Sequence, residues 1–426
     1  MIDDFRPVAR RAKSLQAAID SLPQRQTPNT NAPFQTPEEV VASASAQPSA
    51  PLATESSGTV ANGQRAPISH HLKKLALRWP PSRKEVIIGC AIAFMIVSGL
   101  GSWLLTHRGP KPVAAAPKIS IVKKPAVVVP TTVPSILSGL PVEPIVNGRP
   151  ITGVMIENSL DARPQSGLTQ ASVVFEAIAE GGITRFLALF QDTQPDNVGP
   201  VRSARPYYLQ WALGFDATYA HVGGSPEALA NIKSWGVKDM DQFYNSGSYH
   251  RISTRYAPHN VYTSLATLAQ LEASKGYGAS TFKGWLRKAD SPLATPTAKS
   301  IDLAISGPTY NAHYDYDVAS HTYKRSEGGS AHIDADTNVQ ISPKVVIALV
   351  MSYGFKSDGY HSDYNTLGSG QAYIFQDGGV TIGTWNKADN ASPFGFLDST
   401  GKPLALNAGQ TWLSAVRAAT NVTSSP

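Results

Sequence analysis

From Val86 to Leu105 the chain reads VIIGCAIAFMIVSGLGSWLL, 20 residues without a formal charge. Coiled as a helix at roughly 1.5 Å per residue, such a run covers a hydrocarbon core of about 30 Å. A soluble helix of this length, apolar on every face, would need a much larger protein around it. The run predicts one membrane span over residues 85–106, with two unequal parts on opposite sides. Lys73, Lys74, Arg78, Arg83 and Lys84 precede it, against His107, Arg108 and Lys111 after it. That bias places the N-terminus in the cytoplasm and the C-terminal domains outside. A cleaved signal peptide fits poorly, because its apolar region would be shorter and nearer the start. Cys90 is the single cysteine, so the extracytoplasmic part has no disulfide and depends on its own core. The tetrapeptide Ile87 to Cys90 formally satisfies a bacterial lipobox. It opens the apolar run instead of closing it, which favours an ordinary membrane-facing cysteine over a lipidated one.

Charge follows the same division. Residues 1–84 carry 11 Lys and Arg against 6 acids, nearly all of the net charge of +6. The folded part is close to neutral, which argues against nucleic acid as a partner, since that needs a concentrated basic face. Residues 22–70 are rich in Pro, Gln, Ser, Thr and Ala and hold too few large apolar groups to offset the entropy of ordering, so residues 1–84 read as a disordered basic cytoplasmic tail. Nine prolines between 109 and 150 predict a semi-rigid extracytoplasmic spacer over 107–145.

Beyond the spacer the pattern predicts an α+β fold. An α/β-type N-terminal domain over 146–300 is followed by a mainly antiparallel β domain over 301–420. ITGVMIEN is a buried strand, and the β-type runs ASVVFEAIAE and ITRFLALFQ around Gly181 and Gly182 form a hairpin. It places Glu176 and Glu180 on one face near Arg185, either as catalytic carboxylates or as cross-strand ion pairs. YYLQWALGF is a helix capped by Ser203 or Arg205, with Pro206 in its first turn. The strand ATYAHV leads through Gly223 and Gly224 to a helix with Ser225 at its N-cap, Pro226 at N1 and Glu227 in the first turn. From Pro308 onward, Tyr, Thr and Val alternate with polar residues as in antiparallel strands.

Three segments carry polar groups suited to a site. VGPVRSARPYY presents Arg202, Ser203 and Arg205 at a helix start, HVGGSPE presents Gly223, Gly224 and Ser225 at a second, and APHNVYTS presents His259 and Asn260. Helix N-termini and arginines together favour an anion. His221, at a strand end, and His259 are candidate acid/base groups, with Glu180 as a partner. The remaining histidines form no metal-spaced motif, and no standard nucleophile motif, cofactor loop or catalytic cysteine is present, so neither metal nor cofactor is expected. Two charge-assisted hydrogen bonds and a helix end supply roughly 3–7 kcal/mol, which holds a simple anion loosely. A larger ligand is needed.

The ordered blocks RPITGVMIENSLDARPQSGLTQASVVFEAIAEGGITRFLALFQ, VGPVRSARPYY, HVGGSPEA and APHNVYTS resemble the YerB-like putative lipoprotein family of bacteria, a domain of unknown function. GQAYIFQDGGVTIGTW with GQTWLSAV is similar to that family's C-terminal domain. The resemblance covers residues 145–420 and implies a membrane-tethered extracytoplasmic protein of two parts, with no reaction attached. The apolar run and long tail depart from the lipoprotein form. Three readings follow: binding of an anionic envelope polymer or peptide, such as peptidoglycan or a wall polymer; an envelope hydrolase or transferase; or a scaffold for protein partners. Convergence of Arg202, Arg205, His221 and His259 on one open cleft would support the first two readings, and burial of the arginines against carboxylates such as Glu176 would sink both in the form that uses these arginines, leaving them as braces.

Overall fold

The computed structural model describes residues 83–106 and 131–426. The basic tail and the first part of the spacer lie outside these residues, apart from Arg83 and Lys84. The described residues fall in two compact units, taken in turn.

In the first unit, α1 is a single 24-residue helix, Arg83–Thr106. Ile87, Phe94, Met95, Val97 and Trp103 are each more than half exposed on it. The hydroxyls of Ser98 and Thr106 donate back to the carbonyls of Phe94 and Ser102 within the helix. Side chains are described from 87 to 103 and at 106, and among the described residues no helix is long and apolar enough to cross a membrane.

The second unit is mixed α+β, mostly strands with few helices. Its centre is a ten-stranded sheet made of β1 (Thr152–Glu157), β2 (Val173–Ile178), β3 (Thr184–Phe190), β4 (Thr218–His221), β5 (Lys238–Asp241), β6 (Val345–Val350), β7 (Gly368–Gln376), β8 (Gly379–Lys387), β9 (Gly395–Leu397) and β10 (Thr411–Val416). The order across it is β9-β8-β7-β6-β10-β2-β3-β1-β4-β5. Every residue of β1, β2, β3 and β10 is buried, as expected for Val-, Ile-, Leu- and Phe-rich strands covered on both faces.

The hairpin at Gly181 and Gly182 is present: β2 and β3 pair antiparallel, and both glycines have positive φ. The strand-helix-strand unit is present too. β4, helix α3 (Pro226–Ser234) and β5 form a parallel crossover, with Ser225 Oγ accepting from Ala228 N at 3.3 Å as the N-cap. Helix α2 (Pro206–Leu213) packs beside α3 and β4, and Leu265–Ser274 forms a helix capped by Ser264.

The two halves share this sheet. β10, near the C-terminus, pairs in parallel with β2 of the N-terminal half, from Thr411↔Val173 to Ser414↔Glu176. A second sheet is antiparallel throughout, ordered Ser330–Ala331, Thr322–Glu327, Ala312–Asp317, Ser300–Leu303 and Val422–Ser425. Its middle strands alternate buried with more exposed residues, so one face packs on the core.

One boundary moves. Residues 131–145, expected in the spacer, are folded: Val133–Pro134 pairs with Pro141–Val142, and Leu137 is fully buried. Proline is compatible with edge strands and turns, so its density misplaced the start of the domain.

Candidate functional site

The carboxyl ends of parallel strands β1, β4 and β5 bring Glu157, His221 and Asp241 to one edge of the sheet, where open α/β sheets hold their ligands. VGPVRSARPYY runs along this edge: Ile156 bridges Val201, and Ala204 bridges Gly224. Its two arginines therefore part company. The Arg202 Nε lies 3.2 Å from Glu157 Oε1, while Arg205 turns to Glu180.

Glu157 is the meeting point of two predicted segments. His259 Nδ1 lies 2.9 Å from Glu157 Oε1, and Ser159 Oγ donates to the same oxygen at 2.9 Å. Glu157 is 3% exposed and its Oε2 has no hydrogen-bond partner. The His259 Nε2 points the other way, 3.9 Å from the exposed Asp161. A carboxylate that orients one ring nitrogen and leaves the other open is the arrangement of an acid/base histidine.

The other predicted residues are held in the framework. Glu180 does not serve a histidine. Its carboxylate is bonded by Nε and Nη2 of Arg205 and by Arg185 Nη2 at 3.1 Å. Burial alone would raise the Glu180 carboxyl, but the Arg205 hydrogen bond and the two guanidinium charges hold it below its ordinary range. Ser203 caps no helix, because the N-cap position of α2 belongs to Arg205, and its carbonyl accepts from Arg185 Nη1. His221 is fully buried, with Nδ1 2.7 Å from Gly223 O and Nε2 2.9 Å from Asp239 Oδ1. Asn260 joins Arg251 and the carbonyl of Arg255 within its loop. Gly223 has φ +55°, and a Cβ there would meet the Phe243 ring at 3.0 Å, so glycine suits both the turn and the packing.

The starts of α2 and α3 open onto one cleft of about 240 Å³ lined by Arg205, Ser225, Glu227, Lys356, Asp358 and His361. Lys356 and His361 come from the C-terminal half and no local motif marks them. Glu227 Oε1 lies 3.3 Å from Lys356 Nζ, so an acidic side chain of the protein already docks beside the helix starts. Among the described residues no cluster of three or more His, Cys, Asp or Glu is placed to hold a metal ion.

Two family models match the chain: the N-terminal domain of a protein of unknown function (DUF3048) over residues 137–278, and the corresponding C-terminal domain over 301–413. The chain belongs to the DUF3048 family. It is 33% identical over 291 residues to the putative lipoprotein YerB of Bacillus subtilis strain 168, covering 66% of this chain and 85% of that protein. The crystal structure of YerB superposes with a TM-score of 0.62 at 30% identity, covering 68% of this chain and 99% of that one.

In this DUF3048 member the seam between the halves holds a second polar cluster, in which Glu176, expected near Arg185, instead pairs with Arg325 of the C-terminal half, a partner that no local motif marks. Arg325 is fully buried, donating to Glu176 Oε1 at 3.0 Å, to His332 Nδ1 at 3.0 Å and to Tyr314 Oη at 2.7 Å. Glu327 Oε1 accepts from Asn158 at 2.6 Å and lies 3.3 Å from Arg163 Nη2, while its Oε2 has no partner. Burial outweighs Arg325 and Arg163 and pushes the Glu327 carboxyl up to about 7. A carboxyl raised on folding favours the folded state below its ordinary range and loses that contribution as pH rises through its folded value. Thermal melting of the wild-type chain should therefore fall between about pH 4.5 and 7 by more than that of Glu327→Gln, which mimics the protonated acid. Parallel melting curves across that window would refute the assignment.

Proposed function

We propose that the protein is a membrane-tethered extracytoplasmic binding protein that takes an acidic group of an envelope polymer or peptide at the cleft between α2 and α3. One observation carries the reading: the Ala204/Gly224 bridge sets two helix N-termini side by side on a single cleft that also receives Lys356 and His361. The Glu227 carboxylate beside Lys356 indicates the chemistry the cleft accepts, and a ligand would displace it. Arg205 lines the cleft, but its charge is matched by Glu180. Lys356 also keeps Asp363 at 2.7 Å, so the affinity of one acidic group rests chiefly on the helix ends, and a repeating polymer gains by multivalency.

Tethering by a helix is read from the sequence, from the uncharged run Val86–Leu105 and the basic flank before it, and not from the length or apolarity of α1. YerB is named a putative lipoprotein, which supports attachment outside the membrane, here by a helix in place of a lipid. The test uses full-length protein in membrane vesicles of both orientations and fluorescent wall polymer or peptidoglycan fragments. Right-side-out vesicles should retain an acidic fragment intact, and Lys356→Ala with His361→Ala should release it. Retention only by inside-out vesicles would reverse the topology, and no retention at all would remove the ligand assignment.

A second reading, an envelope hydrolase or transferase, draws on the Glu157–His259 pair beside Arg202. Cleavage of the fragments, lost in His259→Ala, would favour it over binding.

A further inference from the structure

A cavity of about 300 Å³ lies at the seam, between the loop at Arg163 and Pro164 and the Gly328–Gly329 turn of the second sheet. It is separate from both places considered above. Its walls are Pro164, Ala331 and Ile333 with the Ser330 hydroxyl beside them, and Arg163, Glu327 and His332 supply its charged and ring groups. At about 30 Å³ per water, it has room for about ten non-hydrogen atoms.

These groups have unused bonding capacity. Glu327 is 4% exposed, its Oε1 is occupied by Asn158 and Arg163, and its Oε2 has no partner although the side chain lines the cavity. His332 is not a donor to it. Its Nδ1, 3.6 Å from Oε2, accepts from Arg325 Nε, and its Nε2 faces Gln165 Oε1 at 2.9 Å. A neutral ring with its proton on Nε2 satisfies both contacts, and burial and Arg325 hold His332 in that form. Arg163 donates from Nε to Asn158 Oδ1, from Nη1 to Thr309 O and from Nη2 to Asn158 O, which leaves one Nη1 hydrogen over. A buried carboxyl oxygen without a donor is costly to maintain unless a ligand supplies one.

We propose that this cavity binds a small secondary amide, whose N–H donates to Glu327 Oε2, whose carbonyl accepts from Arg163 Nη1 and whose methyl end packs on Pro164, Ala331 and Ile333. One acceptor and one donor side by side above an apolar wall match an amide better than a carboxylate, which has no N–H to donate to Glu327 Oε2. They also match it better than a bare ammonium, which has no use for Arg163. Acetamido sugars and short peptides both present this group.

Saturation-transfer NMR on the full-length chain in detergent micelles tests it with two probes, N-acetylglucosamine and N-acetylalanine methylamide. The acetyl methyl of at least one should show contact, the sugar alone pointing to a glycan and the alanine derivative alone to a peptide. Ala331→Trp, an exposed edge position outside the polar cluster, should fill the cavity and abolish the contact. Glu327→Gln should weaken it roughly tenfold. Absence of contact with both probes, or contact that persists in Ala331→Trp, overturns the site. Undiminished affinity in Glu327→Gln overturns the amide contact. If the Gln variant does not fold, the Trp variant decides.

Discussion

Replacing Glu176 with alanine should destabilise the fold by about 3–5 kcal/mol, read as a drop in the urea midpoint of the full-length chain. Glu176 is fully buried and accepts from Arg325 at 3.0 Å, Trp412 Nε1 at 3.1 Å and Ser414 Oγ at 3.0 Å. Alanine leaves the Arg325 guanidinium deep in the core beside Trp412, whose ring centroid is 4.6 Å away. The nearest remaining carboxyl, Glu327, is 3.5 Å from it and has a raised pKa of its own. Removing one partner of a buried pair costs more than removing both, because the survivor keeps its desolvation penalty. The double variant Glu176→Leu with Arg325→Met should accordingly recover much of the loss, and a double variant worse than the sum of the singles would show that the pair is not the coupling element.

An effect of similar size, about 3–5 kcal/mol, is expected for Glu180→Ala, for a different electrostatic reason. Glu180 stands between Arg185 and Arg205, both under 10% exposed, so its removal leaves two like charges facing one another. Burial and the neighbouring Arg205 already lower the Arg185 pKa. The pH dependence has the opposite sign to that of Glu327. The Glu180 carboxyl is held below its ordinary range, so its contribution is present above that range and lost as pH falls through the folded value. The urea midpoint of Glu180→Ala should therefore change less with pH below about 4.5 than that of wild type, and equal slopes in that window would refute the assignment. A drop of less than about 1 kcal/mol at neutral pH would mean that the arginines find other partners. Arg205 lines the proposed cleft and would be disturbed by this change, which is why the test of the cleft relies on Lys356 and His361.

Local chemistry made several elements legible. Gly181 and Gly182 mark a turn because both adopt positive φ, and Ser225 and Pro226 mark a helix start because the serine hydroxyl accepts from a free N–H while proline has no N–H to leave unpaired. Each is decided by a few consecutive residues. The partners of polar side chains were not legible. Arg202 and Arg205 stand three residues apart in one short segment, yet one meets Glu157 and the other Glu180, because the extended backbone of this segment sends them in different directions. Arg163 and Glu327 meet across the seam, and Lys356 comes from the C-terminal half to the start of α3.

By itself the sequence determined the α+β class, the uncharged run, the hairpin and the strand-helix-strand unit, since these follow from periodicity, charge and turn chemistry. Only the tertiary structure decided that β10 pairs beside β2, that the arginines are matched by carboxylates, and that Glu327 lines a cavity and keeps one buried oxygen without a partner. Those outcomes depend on which distant residues burial forces together, and burial is a property of the packed chain rather than of any segment within it.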